Sequence, residues 1–410
     1  MAEQRKRPNG RRAVNRSVPV SRTGKSMAGR KQHGKVRQFS AAPSSGKRKK
    51  AGTMDYYLFT LLIILLSFGL IMVFSASSIN AFYEYGNSYH YLLSQGRWVV
   101  IGVAVMLFFS GYDYHRLAKQ TPALVGGTIV LLLLVLLVGT EVKGAKRWLG
   151  FGGFSIQPSE CAKIVLILFL SQRLAAEREK NFESIKGLVP YLVIIGVFCG
   201  LVLAEKHLSG TMVLCLLGIA LLFAAGAKLA HFGMGIVGIA CLGVIAIIQE
   251  PYRLERITTF WDPFAHKMDE GWQIVQSLYA IGSGGLFGVG LGRSRQKYLY
   301  IPEPQNDFIF SIICEELGWV GALLVLTLFA LLIWRGIRIA LNAPDKLGAL
   351  LAFGMSSLVA IQVIINVGVV TASLPVTGMQ LPFFSAGGSS LVFLLWGMGI
   401  LLNVSRQCKK

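Results

Sequence analysis

Runs of apolar residues long enough to cross a lipid bilayer are the feature of this sequence that most restricts its fold. Such runs occur at 58–74, 123–138, 188–204 and 211–225. A helix needs roughly 20 apolar residues to span the hydrocarbon core, where its backbone polar groups must bond within the segment. Only 15% of the 410 residues are charged and 53% are hydrophobic, which is too little charge for the surface of a soluble protein. The chain is therefore predicted to be an all-α polytopic membrane protein.

Ten membrane-spanning helices are predicted. Their approximate positions are 56–75, 91–110, 122–139, 158–174, 188–204, 210–226, 231–249, 307–334, 347–371 and 386–404. The connection at about 250–306 is by far the longest, and a loop of that length usually has a function or structure of its own. Most Lys and Arg residues fall in segments that lie on the same side of the membrane as the N-terminus. Because Lys and Arg are enriched in cytoplasmic segments, both termini are predicted to be cytoplasmic. We therefore expect a membrane domain at 53–405 and a short cytoplasmic C-terminus at 406–410.

The N-terminal segment is strongly basic. Residues 1–50 contain sixteen Lys or Arg residues and a single acid, Glu3, and they lack any apolar periodicity. Residues 1–52 are accordingly predicted to form a disordered cytoplasmic tail. Basic residues beside a first membrane helix are attracted to anionic lipid headgroups. We expect the tail to bind anionic lipid or an acidic partner protein, and we expect no nucleic acid partner.

Several ionisable residues fall inside the predicted spans, where such groups are costly and usually functional. Glu160 and Lys163 are three residues apart in the fourth span, so they share a helix face and are expected to form an ion pair. Asp307 opens the eighth span, and Glu315 and Glu316 follow about 12–13 Å deeper along the helix. Asp307 has two interpretations, because an aspartate at a helix start is either a cap or a functional group.

A cluster of basic residues lies on the predicted outer side, where Lys and Arg are normally depleted. Lys143, Lys146 and Arg147 precede the fourth span. Pairing with nearby acids is one interpretation, and an anionic ligand is the other, since Arg matches the geometry of phosphate groups.

The long outer connection contains two local patterns. Residues 271–283 are predicted to form an amphipathic helix at the membrane interface. The glycine-rich run at 282–292 has no strand before it and no βαβ unit around it, so a dinucleotide-binding loop is excluded. Its glycines are expected to allow tight turns of the backbone.

Four stretches together resemble the SEDS family (shape, elongation, division, sporulation). They are Ile-Pro-Glu-Pro-Gln-Asn-Asp-Phe-Ile-Phe-Ser-Ile-Ile-Cys-Glu-Glu-Leu-Gly at 301–318, Val-Lys-Gly-Ala-Lys-Arg-Trp at 142–148 with Ile-Gln-Pro-Ser-Glu at 156–160, Gly-Trp-Gln-Ile-Val-Gln-Ser at 271–277, and Leu-Pro-Phe-Phe-Ser-Ala-Gly-Gly-Ser-Ser at 381–390. The form of residues 302–307 is more similar to the division branch (FtsW) and the sporulation branch (SpoVE) than to RodA. One stretch departs from the family. Many members have Pro-Asp-Leu-Gly-Thr where this chain has Glu-Lys-His-Leu-Ser-Gly-Thr at 205–211, so no role is carried over for the missing acid, and Glu205 is a candidate substitute.

The resemblance implies a ten-helix peptidoglycan glycosyltransferase of the bacterial cytoplasmic membrane, expected at the division septum. Such an enzyme polymerises lipid II into glycan strands on the outer face, by inverting transfer with polyprenyl pyrophosphate as leaving group. It implies as partners a class B penicillin-binding protein and other division proteins. In the family, the residue matching Asp307 is catalytic, the residues matching Glu160 and Lys163 line the same cavity, and the Arg matching Arg147 is functionally important.

These residues suggest a mechanism. Asp307 is the predicted general base, and Arg147, Lys143, Lys146 and Lys163 are the predicted pyrophosphate-binding residues, together with Glu160. The residues expected to support the cavity are Glu315, Glu316, Gln157, Gln305, Asn306 and Ser389. A divalent cation, Mg²⁺ or Mn²⁺, is compatible with pyrophosphate departure, but no cluster of ligands in the sequence demands one. Two other functions stay open, a lipid II flippase and a scaffold for division proteins.

Overall fold

The computed structural model describes residues 52–142, 144–151, 154–177, 184–228, 259–266, 268 and 271–408. Three predicted features lie outside the described residues: residues 1–51 of the basic tail at 1–52, the seventh span at 231–249, and Lys143. The first half of the chain contains α1 (Tyr56–Tyr85), α2 (His90–Gly111), α3 (Tyr114–Lys119), α4 (Thr121–Val138), β1 (Thr140–Val142), β2 (Ala145–Phe151), β3 (Phe154–Ile156), α5 (Pro158–Ala176), α6 (Ile185–Ala204) and α7 (Leu208–Ala224). The second half contains α8 (Trp272–Ser283), α9 (Ile309–Asn342), α10 (Lys346–Val370) and α11 (Gly388–Gln407).

A helical membrane fold is confirmed. Among the described residues, seven helices (α1, α2, α4, α6, α9, α10 and α11) have the length and hydropathy of a membrane span. Helix α7 is equally apolar but has 17 residues, and α5 coincides with the predicted fourth span, which carries Glu160, Lys163 and Arg173. The total of ten spans and their orientation stay predictions.

Helix α5 contains the ion pair and occupies the middle of the bundle. It packs against α4, α7, α10 and α11, and most of its side chains are buried, including Lys163. This placement explains why a helix with internal charges is tolerated, because its polar groups face other helices instead of lipid.

One end of the bundle is tied together by polar contacts between distant segments. Arg335 on α9 forms an ion pair with Asp55 at 2.7 Å, and the Gly52 N–H donates to the carbonyl of Arg406 at 2.9 Å. His115 on α3 contacts Asp345 at 2.8 Å. The starts of α1 and α10 and the ends of α9 and α11 therefore meet at this end, which agrees with the expectation that both ends of the membrane domain lie on one side.

The connection between α4 and α5 folds into a small antiparallel sheet, which the apolar pattern did not predict. The strand order is β1-β2-β3. Thr140 pairs with Trp148 and Glu141 with Lys146 between β1 and β2, and Leu149 pairs with Ile156 between β2 and β3. The sheet holds the basic residues of β2 in fixed directions.

The glycine-rich run lies against an interruption in α9. At Gly318, φ is 66° and ψ is −164°, so the helix breaks there. The run and the broken helix exchange four backbone hydrogen bonds, in which Val289 N and Gly290 N donate to Glu315 O and Glu316 O, and Trp319 N and Val320 N donate to Gly285 O and Leu286 O. Gly288 has a φ of +76°, and a Cβ there would lie 2.1 Å from the carbonyl oxygen of Glu316. The expected tight turn is present, and it serves to satisfy the backbone groups that the break in α9 exposes.

Candidate active site

A cavity of about 270 Å³ opens at the end of the bundle opposite the Asp55–Arg335 pair. It is formed by β2, the first turn of α5, the α6–α7 turn, the segment before α9, α10 and the α10–α11 connection. Its polar lining residues are Arg147, Gln157, Glu160, Lys163, His207, Glu303, Asn306, Asp307, Gln362, Gln380, Ser385 and Ser390. Ile164, Leu358, Leu391 and Leu394 make part of the wall apolar. The cavity therefore offers both charged groups and an apolar surface.

Asp307 lies just before the first turn of α9. The N-cap residue of α9 is Phe308, whose side chain makes no capping hydrogen bond, so Asp307 lies one residue before the cap position. The backbone of Asp307 is held by Asn366 of α10, whose Nδ2 donates to the Asp307 carbonyl at 2.8 Å and to the Met379 carbonyl at 2.6 Å. The carboxylate faces Gly378, where Oδ2 would lie 3.3 Å from an added Cβ. Asp307 is therefore directed into the cavity by its neighbours.

The two residues preceding Asp307 are fixed to the α10–α11 connection. The Ala386 N–H donates to the Gln305 carbonyl at 2.8 Å, and Ser385 Oγ donates to the Asn306 carbonyl at 2.6 Å. Asn306 lines the cavity. The Gln305 side chain is buried, and its Oε1 has no hydrogen-bond partner among the described residues. Both residues are thus attached to the α10–α11 connection through their backbones, and their supporting role stays a prediction.

The predicted ion pair in α5 is present at the cavity wall. Lys163 Nζ lies 2.7 Å from Glu160 Oε1, with exposed side-chain fractions of 3% and 14%. Gln157, one residue before α5, lines the cavity, and its N–H donates to Ser389 Oγ at 3.2 Å. Ser389 thus joins the start of α5 to the start of α11.

Of the three basic residues predicted to bind pyrophosphate before α5, the structure brings Arg147 to the cavity. Successive side chains of a strand point to opposite faces, which separates Arg147 from its neighbour Lys146. Lys146 is exposed, lies opposite Glu141 across the sheet, and does not line the cavity. The guanidinium of Arg147 donates to the carbonyls of Glu205 and Lys206, at the end of α6.

The α6–α7 turn, where the sequence departs from the family pattern, contributes His207 to the cavity. His207 Nε2 lies 3.4 Å from Gln157 Nε2. Burial and the nearby charges of Arg147 and Lys163 hold the pKa of His207 well below its usual range, so the imidazole is neutral. Sequence reasoning did not single out His207 as a site residue, although its place beside the missing acid was a usable signal.

Glu205 does not line the cavity. Its carboxylate is buried and has no hydrogen-bond partner among the described residues. Burial raises the pKa of Glu205 to about 8, against the opposing effect of Arg147. The structure therefore gives no support to Glu205 as a cavity carboxylate.

Glu315 and Glu316, predicted to support the cavity, are not among its lining residues. Both are buried and are bonded instead to the segment that follows the glycine-rich run. Glu315 accepts from the backbone N–H of Arg295 at 2.8 Å, and Glu316 forms an ion pair with Lys297 at 2.9 Å. Neither acid therefore shares the cavity with Asp307.

The uncharged α10–α11 connection lines the cavity through residues 378–383 and Ser385, and Ser390 in the first turn of α11 lines it as well. Gln362 of α10 adds an amide to the wall. In the part of the chain that the structure describes, no three His, Cys, Asp or Glu side chains converge as metal ligands.

The site lies within residues 55–410, which match the protein-family model for the cell cycle proteins FtsW, RodA and SpoVE. The chain belongs to this family. It is 45% identical to stage V sporulation protein E of Bacillus subtilis (strain 168), over 88% of this chain and 99% of the relative. It is 39% identical to a probable peptidoglycan glycosyltransferase FtsW of Geobacter sp. (strain M18), over 87% of this chain and 97% of the relative.

Two solved structures of the family share the fold. One is described as showing structural coordination of polymerization and crosslinking by a peptidoglycan synthase complex, with a TM-score of 0.73, 28% identity, and coverage of 86% of this chain and 98% of that one. The other is the rod shape determining protein RodA of Thermus thermophilus, with a TM-score of 0.66, 27% identity, and coverage of 87% and 98%. The resemblance noted in the sequence is confirmed.

Proposed function

We propose that the chain is a peptidoglycan glycosyltransferase that polymerises lipid II on the outer face of the bacterial cytoplasmic membrane. The observation that carries this proposal is one cavity that brings the Asp307 carboxylate together with Arg147 and Lys163. A carboxylate that accepts a proton and cations that receive a leaving pyrophosphate are the two groups that glycosyl transfer from a pyrophosphate donor requires. The names of its FtsW relatives agree with this chemistry.

In the proposed reaction, the 4-hydroxyl of an acceptor disaccharide attacks the anomeric carbon of the donor from the side opposite the pyrophosphate. The new C–O bond forms as the C–O bond to pyrophosphate breaks. The electron pair of the broken bond leaves with the polyprenyl pyrophosphate. The hydroxyl proton passes to the Asp307 carboxylate. Attack from the opposite side inverts the anomeric configuration.

Arg147 is the residue best placed to receive the leaving group. Its guanidinium is held at the cavity by two backbone carbonyls of the α6–α7 turn, and the planar fork of a guanidinium matches the geometry of phosphate oxygens. Lys163 is neutralised in part by Glu160 at 2.7 Å, which favours a role in orienting the substrate over one in holding full phosphate charge. Lys146 is not part of this proposal, because it does not reach the cavity.

The partners follow from the same proposal. A structural neighbour is described as a peptidoglycan synthase complex that coordinates polymerization and crosslinking. We therefore propose a class B penicillin-binding protein as the partner that crosslinks the strands, with action at the septum during cell division. The basic tail at 1–52 is proposed to bind anionic lipid.

An assay in detergent separates polymerisation from lipid transport, because detergent leaves no bilayer to cross. The purified full chain, with its class B penicillin-binding protein, is given lipid II, and glycan strands are resolved on a gel. We expect strands from the wild-type complex. A well-folded complex that makes none would overturn the proposal, and lipid II transfer across liposomes by the same protein would then favour the flippase.

A further inference from the structure

A second polar cluster is buried outside the cavity lining and takes no part in the reaction described above. It consists of Ser75 on α1, Ser294 and Lys297 in the segment before α9, and Glu315 and Glu316 on α9. Their exposed fractions are 6%, 0%, 2%, 1% and 0%. Burying charged groups in a membrane protein is costly, and such groups usually have a function.

The Glu316 carboxylate is the centre of the cluster. Lys297 Nζ lies 2.9 Å from Glu316 Oε1, and Ser75 Oγ lies 2.6 Å from Oε2. Glu315 accepts hydrogen bonds from Ser294 Oγ at 2.5 Å and from the Arg295 N–H at 2.8 Å. Two carboxylates of α9 thus hold residues 294–297 to the helix, and the serine of α1 completes the arrangement.

This attachment closes a loop around Asp307. Lys297 precedes Asp307 by ten residues and Glu316 follows it by nine, so the ion pair joins the two ends of a loop with Asp307 near its middle. The far side of the loop is fixed by Asn366, which donates to the Asp307 carbonyl. The direction of the Asp307 carboxylate therefore depends on two restraints, the Lys297–Glu316 pair at the ends of the loop and Asn366 at its middle.

The loop contains backbone that needs such restraint. Leu299 and Glu303 have φ values of +67° and +49°, in the left-handed region that residues with a side chain rarely adopt. Such conformations persist only where the surroundings fix them, and they are common next to active sites. The Lys297–Glu316 pair lies two residues before the first of these positions, where it limits relaxation of the loop.

We propose that the buried Lys297–Glu316 ion pair, completed by Ser75, is a positioning device that holds the Asp307 loop in its reactive geometry. Lys297 and Glu316 are positioning residues, because they act through the loop and do not line the cavity. The proposal rests on the proposed function for the role of Asp307. The structural claim that the pair orders residues 298–308 does not depend on the proposed function.

The test uses Lys297→Met and the double variant Lys297→Met/Glu316→Gln, in the full chain with its class B penicillin-binding protein. The double variant removes the lone buried carboxylate that the single variant leaves behind, and it should recover the thermal midpoint that the single variant loses. The control is Lys119→Met, which removes one exposed positive charge on α3 at the other end of the bundle.

Three quantities are measured: hydrogen exchange of amides 298–308, the KM for lipid II, and kcat for polymerisation. In the double variant we expect faster exchange at 298–308 and a fall in kcat of about ten- to a hundredfold with an unchanged KM, because a misplacement of about 1 Å has effects of that order. The Lys119→Met control should match wild type in all three.

Unchanged exchange at 298–308 would overturn the inference whatever the activity. So would wild-type kcat in the double variant, since the pair would then be only structural. Wild type that makes no polymer would contradict the proposed function instead, and the exchange measurement would still decide whether the pair orders the loop.

Discussion

Replacing Gly288 with alanine tests the way the glycine-rich run is seated against the broken helix α9. An alanine with a φ of +76° is disfavoured by roughly 1–2 kcal/mol. Its Cβ would lie 2.1 Å from Glu316 O and 2.6 Å from Leu317 N, and both atoms belong to backbone that cannot rotate away. The run would have to retreat from α9 by more than about 1 Å to reach an ordinary contact distance.

That retreat weakens the hydrogen bonds from Val289 N at 2.9 Å and Gly290 N at 3.0 Å. Each buried hydrogen bond lost costs about 1–3 kcal/mol when its groups stay unpaired. Together with the conformational cost, Gly288→Ala should destabilise the protein by about 3–8 kcal/mol. At about 2–4 °C per kcal/mol, this predicts a fall in thermal midpoint on the order of 10 °C.

The assay is thermal unfolding of the purified protein in detergent, with Gly282→Ala as the matched control. Gly282 lies in α8, and a Cβ there meets nothing within 4 Å. Alanine is the better helix former by about 1 kcal/mol, so the control should unfold at or slightly above the wild-type temperature. If the two variants unfold within about 2 °C of each other, the inferred contact with α9 is wrong.

Three further predictions concern the cavity and the two ends of the bundle. Arg147→Lys should lower polymerisation about tenfold or more in a lipid II titration, because Lys lacks the planar fork that bonds two carbonyls and still reaches phosphate. The control Lys146→Met should keep wild-type activity. Equal losses of activity in the two variants would contradict the role assigned to Arg147. Burial raises the pKa of Glu205 from 4.5 to about 8, so the carboxyl costs stability increasingly as pH rises from 4.5 towards 8. Glu205→Gln should therefore raise the thermal midpoint at pH 8 more than at pH 5, and the reverse order would refute the burial. The hydrogen bond that His115 donates to the Asp345 carboxylate raises the pKa of His115 above 6.5. The stabilising contribution of His115 is therefore complete below pH 6.5 and disappears as pH rises through the folded-state pKa. The thermal midpoint of wild type should therefore fall over that range more than that of His115→Gln, and parallel profiles would exclude the contribution.

The helices were predictable because long apolar runs permit few alternatives. Residues 121–138 form α4 close to the predicted 122–139, since a span of that composition satisfies its backbone only as a helix. The ion pair of Glu160 and Lys163 was predictable from their spacing alone. Boundaries outside the apolar runs were less accurate, and α1 continues to Tyr85, ten residues past the predicted end at 75.

The contacts of the candidate site were only partly predictable, because they depend on which distant segments meet. Lys146 and Arg147 are adjacent in sequence, and their separation arises from a sheet that the sequence analysis did not predict. Glu315 and Glu316 were expected at the cavity because they follow Asp307 along one helix. Their actual partners are in residues 294–297 and at Ser75, and no local pattern connects those segments.

The measurement that tests the central claim most directly is glycan polymerisation by Asp307→Asn. Asparagine keeps the shape of aspartate, and the contact from Asn366 uses the backbone carbonyl of Asp307, so the loop should stay in place. The variant complex in detergent, given lipid II, is predicted to retain the wild-type thermal midpoint and lipid II binding while producing no glycan strands. Strands formed at the wild-type rate would show that Asp307 is not the base.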